Sequence, residues 1–326
     1  MLCSVIILNW NGEKWLRRFL PSVVENTTDK DVEIVVADNG STDGSLELVK
    51  STFPNVRLIC FSENYGFAEG YNKAIKEVQS EFVVLLNSDV ETPKHWLEPL
   101  LDFLKKNKKF VACQPKILSY NDKSRFEYAG AAGGQLDFLG YAFCRGRKFG
   151  NVLTDNNQYP TAEVFWASGA CLCCRRKEYI EAGGLDCDFF AHMEEIDLCW
   201  RWHLSGYKIA CVTESKVYHV GGGSLSYGNP RKTFLNFRNN LLMLYKNLPM
   251  WRLCYVMPLR FLLDYLAMFF FCVNGNFRSA LQIPKARLAF WKLLKIFRQK
   301  RKSIREKAVV SYPKSISSVP VFFAKI

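Results

Sequence analysis

Four short polar clusters, each directly behind an apolar run, hold most of the side chains in this sequence that could do chemistry. Asn9-Trp10-Asn11-Gly12 follows residues 3–8, and Asp38-Asn39-Gly40-Ser41-Thr42-Asp43-Gly44-Ser45 follows residues 32–37. Asn64-Tyr65-Gly66-Phe67 follows residues 56–61, and Asn87-Ser88-Asp89 follows residues 82–86. A carboxylate at Asp38 suits a pyrimidine ring N–H or a ribose hydroxyl; helix capping by Thr42 or Asp43 is the plainer use of that cluster. Asp89 is the best metal-ligand candidate, because a hard divalent cation takes oxygen ligands and keeps positions open for phosphate and water. Taken alone, Asn-Ser-Asp is an ordinary turn. Further on, Glu194-Glu195-Ile196-Asp197 opens a helical pattern. Acidic residues stabilise a helix start, and adjacent carboxylates beside Phe189, Phe190 and Trp200 also suit a general base, since burial raises a carboxyl pKa. His219 precedes Gly221-Gly222-Gly223-Ser224 and suits either a second metal ligand or a structural histidine. No G-x-G-x-x-G follows the first apolar run, which argues against a dinucleotide fold.

Such clusters need a scaffold that brings them to one edge. Strand patterns at 3–8, 32–37, 56–61 and 82–86 alternate with helical patterns at 13–25, from 43, at 68–78 and at 94–106. Continuous apolar strands between helices predict a parallel sheet covered on both faces, with ligands beyond the carboxyl ends of its strands. Residues 119–160 lack periodicity and predict loops and short strands over one end of the sheet. A strand-like run at 164–174 follows, with helices near 177–182 and 194–205 and short strands at 207–212 and 216–220. From Pro230 to about residue 307 the pattern is helical.

Composition sets limits on this picture. The chain has 326 residues, 49% of them hydrophobic, so a full core is within reach. The net charge is +13, and the stretch from Lys285 to Lys307 carries ten basic residues and one Glu. So local a basic block predicts an anionic membrane surface as partner, whereas a nucleic-acid binder spreads its charge over the folded domain. Most of the twelve cysteines sit in apolar runs, as Cys3, Cys60, Cys113, Cys211 and Cys272 do, which predicts free thiols in a reducing compartment. Cys171 and Cys174 lack the second pair a zinc site needs. Residues 2–8 read as a first strand rather than a leader. Residues 253–273 are apolar but contain Pro258, Arg260 and Asp264; the uncharged part falls short of the about 20 residues a membrane span needs. Arg260 and Asp264 are spaced to pair on one helix face. Residues 277–301 mix Leu, Phe, Trp and Ile with Lys and Arg, the pattern of a helix lying in a membrane interface; a core-packed hairpin is the alternative.

The segments VIILNWNG, VVADNGSTDGS, NYGFAEGYN, VVLLNSDV, WASGACL, EEIDLCWR, VYHVGGGS and NFRNNLLMLYKN, in this order over residues 3–249, resemble glycosyltransferase family 2, especially its rhamnosyltransferase-like bacterial members. The resemblance implies an α/β GT-A fold at 1–249, a Rossmann-like mixed, mostly parallel sheet between helices. The membrane-associating helical extension at 250–326 is an expectation from its basic, amphipathic composition, since the resemblance ends at 249. The resemblance itself implies an inverting transfer of a hexose such as rhamnose from a UDP- or dTDP-type nucleoside-diphosphate sugar to a glycan or polyprenyl-linked hydroxyl. It places Asn9, Asn11, Asp38, Asn64, Gly66, Asn72 and Ser88 in the donor site, Asp89 and His219 on a Mg or Mn ion, and the base in the Glu194-Glu195 pair. Two departures stand out: Asn87 replaces the first Asp of a D-x-D motif, and Glu195 stands where the family pattern has Asp, so the register favours Glu195 over Glu194 as base. The expected location is the cytoplasmic face of the cell membrane. The competing readings are a nucleotidyltransferase, which would need a basic Gly-rich loop after the first strand, and a catalytically inactive membrane adaptor, which would not need intact carboxylates at 38, 89 and 194–195.

Overall fold

Aliphatic runs with few breakers form the strands of this protein, and the strands stop where Gly, Asn and Asp clusters begin. The computed structural model describes residues 1–148, 151–221 and 229–318. In chain order the first half contains β1 (Cys3–Asn9), α1 (Glu13–Glu25), β2 (Val32–Asp38), α2 (Ser45–Thr52), β3 (Arg57–Cys60), α3 (Gly66–Glu77), β4 (Phe82–Asn87), β5 (Val90–Glu91), α4 (Glu98–Lys106) and β6 (Phe110–Ser119). Next come β7 (Gly134–Leu136), β8 (Ala142–Cys144), β9 (Arg147–Lys148), β10 (Asn151–Val152), β11 (Ala162–Val164), β12 (Cys171–Arg175), α5 (Arg176–Glu181), a 3-10 turn (Cys187–Phe189), α6 (Glu194–Leu204) and β13 (Lys208–His219). Four helices end the chain: α7 (Pro230–Asn247), α8 (Met250–Val273), α9 (Phe277–Ala280) and α10 (Gln282–Lys307).

Among the described residues a nine-stranded sheet runs in the order β11-β13-β6-β12-β4-β1-β2-β3, with β5 paired to the end of β13. Strands β4, β1, β2 and β3 are mutually parallel. β12 lies antiparallel between β4 and β6, and β13 runs parallel to β6. Alternate side chains leave each strand toward opposite faces. Val5, Ile7, Val84 and Leu86 pack with Leu16, Leu20, Leu48 and Leu100 on one face. Ile6, Val35, Val83 and Leu85 pack with Tyr71, Ile75, Trp200 and Trp202 on the other. Burial on both faces is why these strands read as unbroken apolar runs.

The structure differs from the sequence reading in three strands. β6 has no counterpart there, because Gln114, Pro115 and Lys116 break its apolar pattern. The fold uses all three. Gln114 Nε2 donates to the Gly130 carbonyl (3.2 Å) and its Oε1 accepts from Ser168 N (2.9 Å). Lys116 Nζ bonds Asp155 (2.6 Å) and Asn157 (2.8 Å). β12 pairs with β6 only at Ala112 and Cys113, so Pro115 costs no bond on that side. The run expected at 164–174 is two strands, β11 and β12, parted by a turn through Ser168 and Gly169. The strands expected at 207–212 and 216–220 are one, β13, whose pairing with β6 slips between Val212 and Lys216. The twelve cysteines are free, as expected; Cys60 is nonetheless exposed, because β3 is the edge strand.

The helices after residue 249 share the core of the second sheet face: Leu253, Val256, Met257, Phe290 and Phe297 belong to the same buried cluster as Trp200 and Leu241. α8 is turned inside out relative to a surface helix of a water-soluble protein. Its buried stripe contains Arg260 and Asp264, which pair at 3.5 Å; Arg260 Nη1 also donates to Leu139 O (2.7 Å), and Arg287 of α10 lies 3.6 Å from Asp264. Its outer face shows Leu262, Leu266, Phe269, Phe270 and Val273. Pro258 leaves the 24-residue helix continuous, and by length and composition alone α8 is apolar enough to cross a membrane. The charged pair docks α8 together with Leu253, Val256 and Met257. Arg260→Ala, which strips a buried partner from Asp264, should cost about 3–5 kcal/mol, read as a lower urea midpoint. An unchanged midpoint would mean that α8 is not held by this pair.

Candidate active site

Strand register assembles the site. Asn9 pairs with Asp38 across β1 and β2, and Leu8 with Asn87 across β1 and β4, so Asn9, Asp38 and Asn87 end at one level of the sheet. Asn9 Nδ2 donates to Asp38 Oδ1 (3.0 Å) and Ser41 Oγ (3.2 Å), and Asp38 Oδ2 accepts from Ser41 N (2.9 Å). Both residues are almost fully buried, so they form the floor of the site rather than its lip. Asn9 Oδ1 has no partner among the described residues, and a side chain at Gly12 would run into it. Asn11 bridges the two clusters: its N donates to Ser41 Oγ (2.9 Å) and its Oδ1 accepts from Thr42 N (2.7 Å). Asp43, rather than Thr42, does the capping, taking Glu13 N (3.0 Å) of α1 and Ser45 N (3.1 Å) of α2. Trp10 is left 57% exposed beside this floor.

The other expected donor-site residues divide into two groups. Asn64 Oδ1 accepts from Gly66 N (2.8 Å) and from Asn39 Nδ2 (2.9 Å), which ties the start of α3 to the Asp38 cluster. Ser88 Oγ lies 3.8 Å from where a Gly12 side chain would begin. Asn72 stands apart. Its Nδ2 donates to Leu185 O (2.8 Å) and its Oδ1 accepts from Tyr179 (2.7 Å) and Leu185 N (2.9 Å), so its amide braces α3 against the turn after α5.

Asp89 and His219 come together because the two-residue strand β5 pairs with the end of β13, Val90 opposite His219. His219 Nε2 lies 3.1 Å from Asp89 Oδ1, and its Nδ1 lies 3.9 Å from Glu127 Oε2 with no hydrogen-bond partner among the described residues. Burial alone would lower the His219 pKa; the carboxylates of Asp89 and Glu127 outweigh it and push it up to about 10. The pocket therefore favours positive charge. Two hard or borderline donors with a carboxylate behind the imidazole fit a divalent cation whose remaining ligands are phosphate and water. No cluster of three acidic, His or Cys side chains that could hold a metal occurs among the described residues; Asp89 and His219 are a pair. Gly222, Gly223 and Ser224 lie outside the described residues.

The carboxylate pair sits behind a strained turn. Phe190, His192 and Met193 all have positive φ (66°, 68° and 75°), a conformation that costs such residues about 1–3 kcal/mol each. α7 holds the turn in place. Asn239 Nδ2 contacts the carbonyls of Phe189 (2.9 Å), Ala191 (2.8 Å) and His192 (2.7 Å), and Arg238 Nη2 donates to those of Asp188 (3.1 Å) and Phe189 (2.9 Å). Two residues past the pair, Asp197 is fully buried between Arg201 (2.9 Å), Lys246 (2.7 Å) and Asn247 (2.8 Å). Lys246 continues to Asp186 (2.5 Å), and Lys300 of α10 bonds Asp186 and Asp188 (2.6 Å to the latter). Burial raises the carboxyl pKa of Glu194 well above its usual value, helped by the charge of Glu195, and burial also raises that of Glu195. One oxygen of each lacks a partner among the described residues. Glu194 is buried and Glu195 half-buried. The Glu195 Cβ lies 4.0 Å from where a Gly169 side chain would begin, and the next carbonyl, Ala170 O, accepts from Asn87 N (3.0 Å). These contacts put the Glu195 Cβ beside the turn that bonds the end of β4. Glu127, Arg238, Asn239, Lys246 and Lys300 have no role in the sequence reading. Glu127 lies in the aperiodic middle segment, and the other four act on residues 40 or more positions away.

The mixed, mostly parallel sheet between helices, with polar clusters beyond its strand ends, has the GT-A arrangement. Residues 4–170 match the profile of Glycosyl transferase family 2, and the chain belongs to that family. It is similar to the N-acetylglucosaminyl-diphospho-decaprenol L-rhamnosyltransferase of Mycobacterium tuberculosis, 28% identical over 66% of this chain and 75% of the relative. Among solved structures it resembles GalNAc-T7 with UDP, GalNAc and Mn2+ (TM-score 0.63, 17% identity), covering 94% of this chain but only 56% of that one. It also resembles the mannosyltransferase PcManGT of Pyrobaculum calidifontis in complex with GDP-Man and Mn2+ (TM-score 0.52, 17% identity), covering 95% of this chain and 86% of that one. At these identities the structures establish the GT-A fold.

The clamp from α7 carries a direct expectation. Asn239→Ala leaves the Ala191 and His192 carbonyls of the strained turn without their side-chain donor, while Phe189 O keeps Arg238, at about 1–3 kcal/mol for a buried unsatisfied group. Amide hydrogen exchange over residues 189–196 should accelerate while β1 and β4 keep their protection. Unchanged exchange there would show that the turn stands without α7.

Proposed function

We propose that this protein is an inverting, divalent-metal-dependent hexosyltransferase. It moves a sugar such as rhamnose from a UDP- or dTDP-linked donor to a hydroxyl of a polyprenyl-linked or glycan acceptor in surface polysaccharide synthesis. The observation that carries the reading is the Asp89–His219 pair, held 3.1 Å apart at the strand-end edge that also bears Asn9, Asp38 and Glu195. The rhamnosyltransferase relative supports the sugar and the lipid-diphosphate acceptor, and the Mn2+ in two structural neighbours supports the metal. A nucleotidyltransferase would need a basic loop where Asn9-Trp10-Asn11-Gly12 stands, and an inactive adaptor has no use for a base held in a strained turn.

Asp89 and His219 would hold Mg or Mn, which supplies Lewis-acid neutralisation of the departing diphosphate. The residues of this chain do the rest. Asn9, Asp38 and Ser41 fix the floor on which the nucleotide lies, with Asn11 and Trp10 at its edge. Glu195 removes the proton of the acceptor hydroxyl; that oxygen bonds to the anomeric carbon from the face opposite the breaking bond to diphosphate. Burial, which raises the Glu195 pKa, makes it a better proton acceptor near neutral pH.

The outward apolar face of α8 and the exposed Lys285, Leu288, Trp291, Lys292 and Lys295 of α10 support a place on the anionic inner face of the cell membrane. Arg260 and Asp264 bind α8 to the folded domain, which favours lying on the bilayer over crossing it.

A panel of nucleotide sugars, each with and without Mn or Mg, tests the class: one donor should release nucleoside diphosphate only with metal. Asp89→Ala should lose that turnover in a protein that still unfolds cooperatively, at a lowered melting temperature because buried His219 loses its carboxylate partner; normal turnover would remove Asp89 from the metal site. Glu195→Gln should lose about 10²–10⁴ in rate with donor affinity kept, and Glu194→Gln should be milder. The reverse ranking would move the base by one residue. Because the base acts deprotonated and its pKa is raised, turnover should fall as pH drops through a midpoint above the ordinary glutamate value. Constant turnover down to that ordinary value would contradict the buried-base assignment.

A further inference from the structure

At the junction of α7, α8 and α10 lies a cavity of about 580 Å³. Tyr245, Pro249 and Met250 supply its less polar lining, and Arg298, Arg301, Lys302 and Arg305 its cations; no acidic side chain lines it. Two of the cations have a structural use. Arg301 Nη1 donates to the carbonyls of Tyr245 and Leu248 (2.6 Å to the latter), and Arg305 Nη1 to those of Asn247 (3.2 Å) and Ser311 (3.0 Å). These bonds satisfy the carbonyl end of α7 and fix both guanidinium groups, each through a single nitrogen. Capping does not explain the other two. Arg298 has no acidic partner among the described residues, and Lys302 meets only Glu306 at 4.0 Å, an exposed pair worth little. Four cations beside an aromatic and aliphatic wall fit a phosphate carried on an amphiphile. The position favours a lipid: Met250 and the exposed Trp251 begin the outward face that continues through Tyr255, Leu259 and Leu262 along α8.

We propose that this cavity seats the phosphate of an anionic membrane lipid, held by Arg298 and Lys302 over a base of Arg301 and Arg305. The inference rests on the membrane location proposed above and adds to it a defined headgroup site, in place of a diffuse basic face.

The test compares two double variants of the full chain that remove the same charge from the same helix. Arg298→Ala/Lys302→Ala empties the cavity of its uncommitted cations. Lys285→Ala/Lys292→Ala removes two exposed lysines outside it. Binding is measured by sedimentation with phosphatidylcholine vesicles containing phosphatidylglycerol. The cavity variant should bind about tenfold more weakly than the control variant, because charge-assisted hydrogen bonds add to the general attraction both pairs share. Equal affinities would overturn the headgroup site while leaving the membrane location standing. If the unaltered protein ignores these vesicles, the membrane location itself fails. If calorimetry shows inorganic phosphate filling the cavity as tightly as the vesicles bind, the ligand is a soluble phosphate and the lipid assignment is wrong.

Discussion

Asp197 has no contact with water, and a carboxylate so placed has to be neutralised by the protein itself. Arg201 comes from its own helix, but Lys246 and Asn247 come from the end of α7, some fifty residues on. Lys246 in turn requires Asp186, and Asp186 takes its second cation, Lys300, from α10. Burial would raise the Asp186 pKa, yet Lys246 and Lys300 outweigh it and hold the carboxyl well below the usual range. One buried charge thus determines how three helices meet. Because Asp197 lies in the first turn of α6, two residues past Glu195, the same network anchors the start of that helix. Asn239 and Arg238 act alongside it, gripping the strained turn that precedes the pair.

The two halves of the site are built on different terms. The donor half rests on strand register: β1, β2 and β4 end at one level, and the polar clusters beyond them bond mostly to one another. Such a floor is set once the sheet forms. The half with the Glu194-Glu195 pair is held by long-range ion pairs from α7 and α10 and by a turn in left-handed backbone. α7 and, through Lys300, α10 brace the turn before α6, while the outer faces of α8 and α10 carry exposed apolar and basic residues.

The sequence makes the first half legible and much of the second half opaque, for physical reasons. Strand-end clusters announce themselves because doubly covered parallel strands are unbroken apolar runs, so a polar break marks each carboxyl end. Asp89 and His219 were recognisable separately; the pairing of β5 with β13 that joins them is a contact across 130 residues, and a two-residue strand has no periodicity to detect. β6 was hidden because its central Gln-Pro-Lys is polar in type yet buried in place. Asn72 belongs to a motif that points to the donor, while its amide is bound to Tyr179 and Leu185. The cations around Asp197 look like ordinary surface charge in the sequence, since nothing local distinguishes Lys246 or Lys300 from their exposed neighbours. α8 reads as apolar with misplaced charges until its docked stripe shows that the charges face inward.

In the mechanism we propose, a divalent cation and a nucleoside diphosphate meet at the end of β4, between Asp89 and His219. Crystals grown with Mn2+ and a nucleoside diphosphate, measured at the manganese edge, test it directly. One anomalous peak is expected within coordination distance, about 2.0–2.3 Å, of both an Asp89 oxygen and His219 Nε2, with the diphosphate beside it and the nucleoside over Asn9 and Asp38. A peak elsewhere on the protein, or a diphosphate bound with no metal between these two residues, would contradict it.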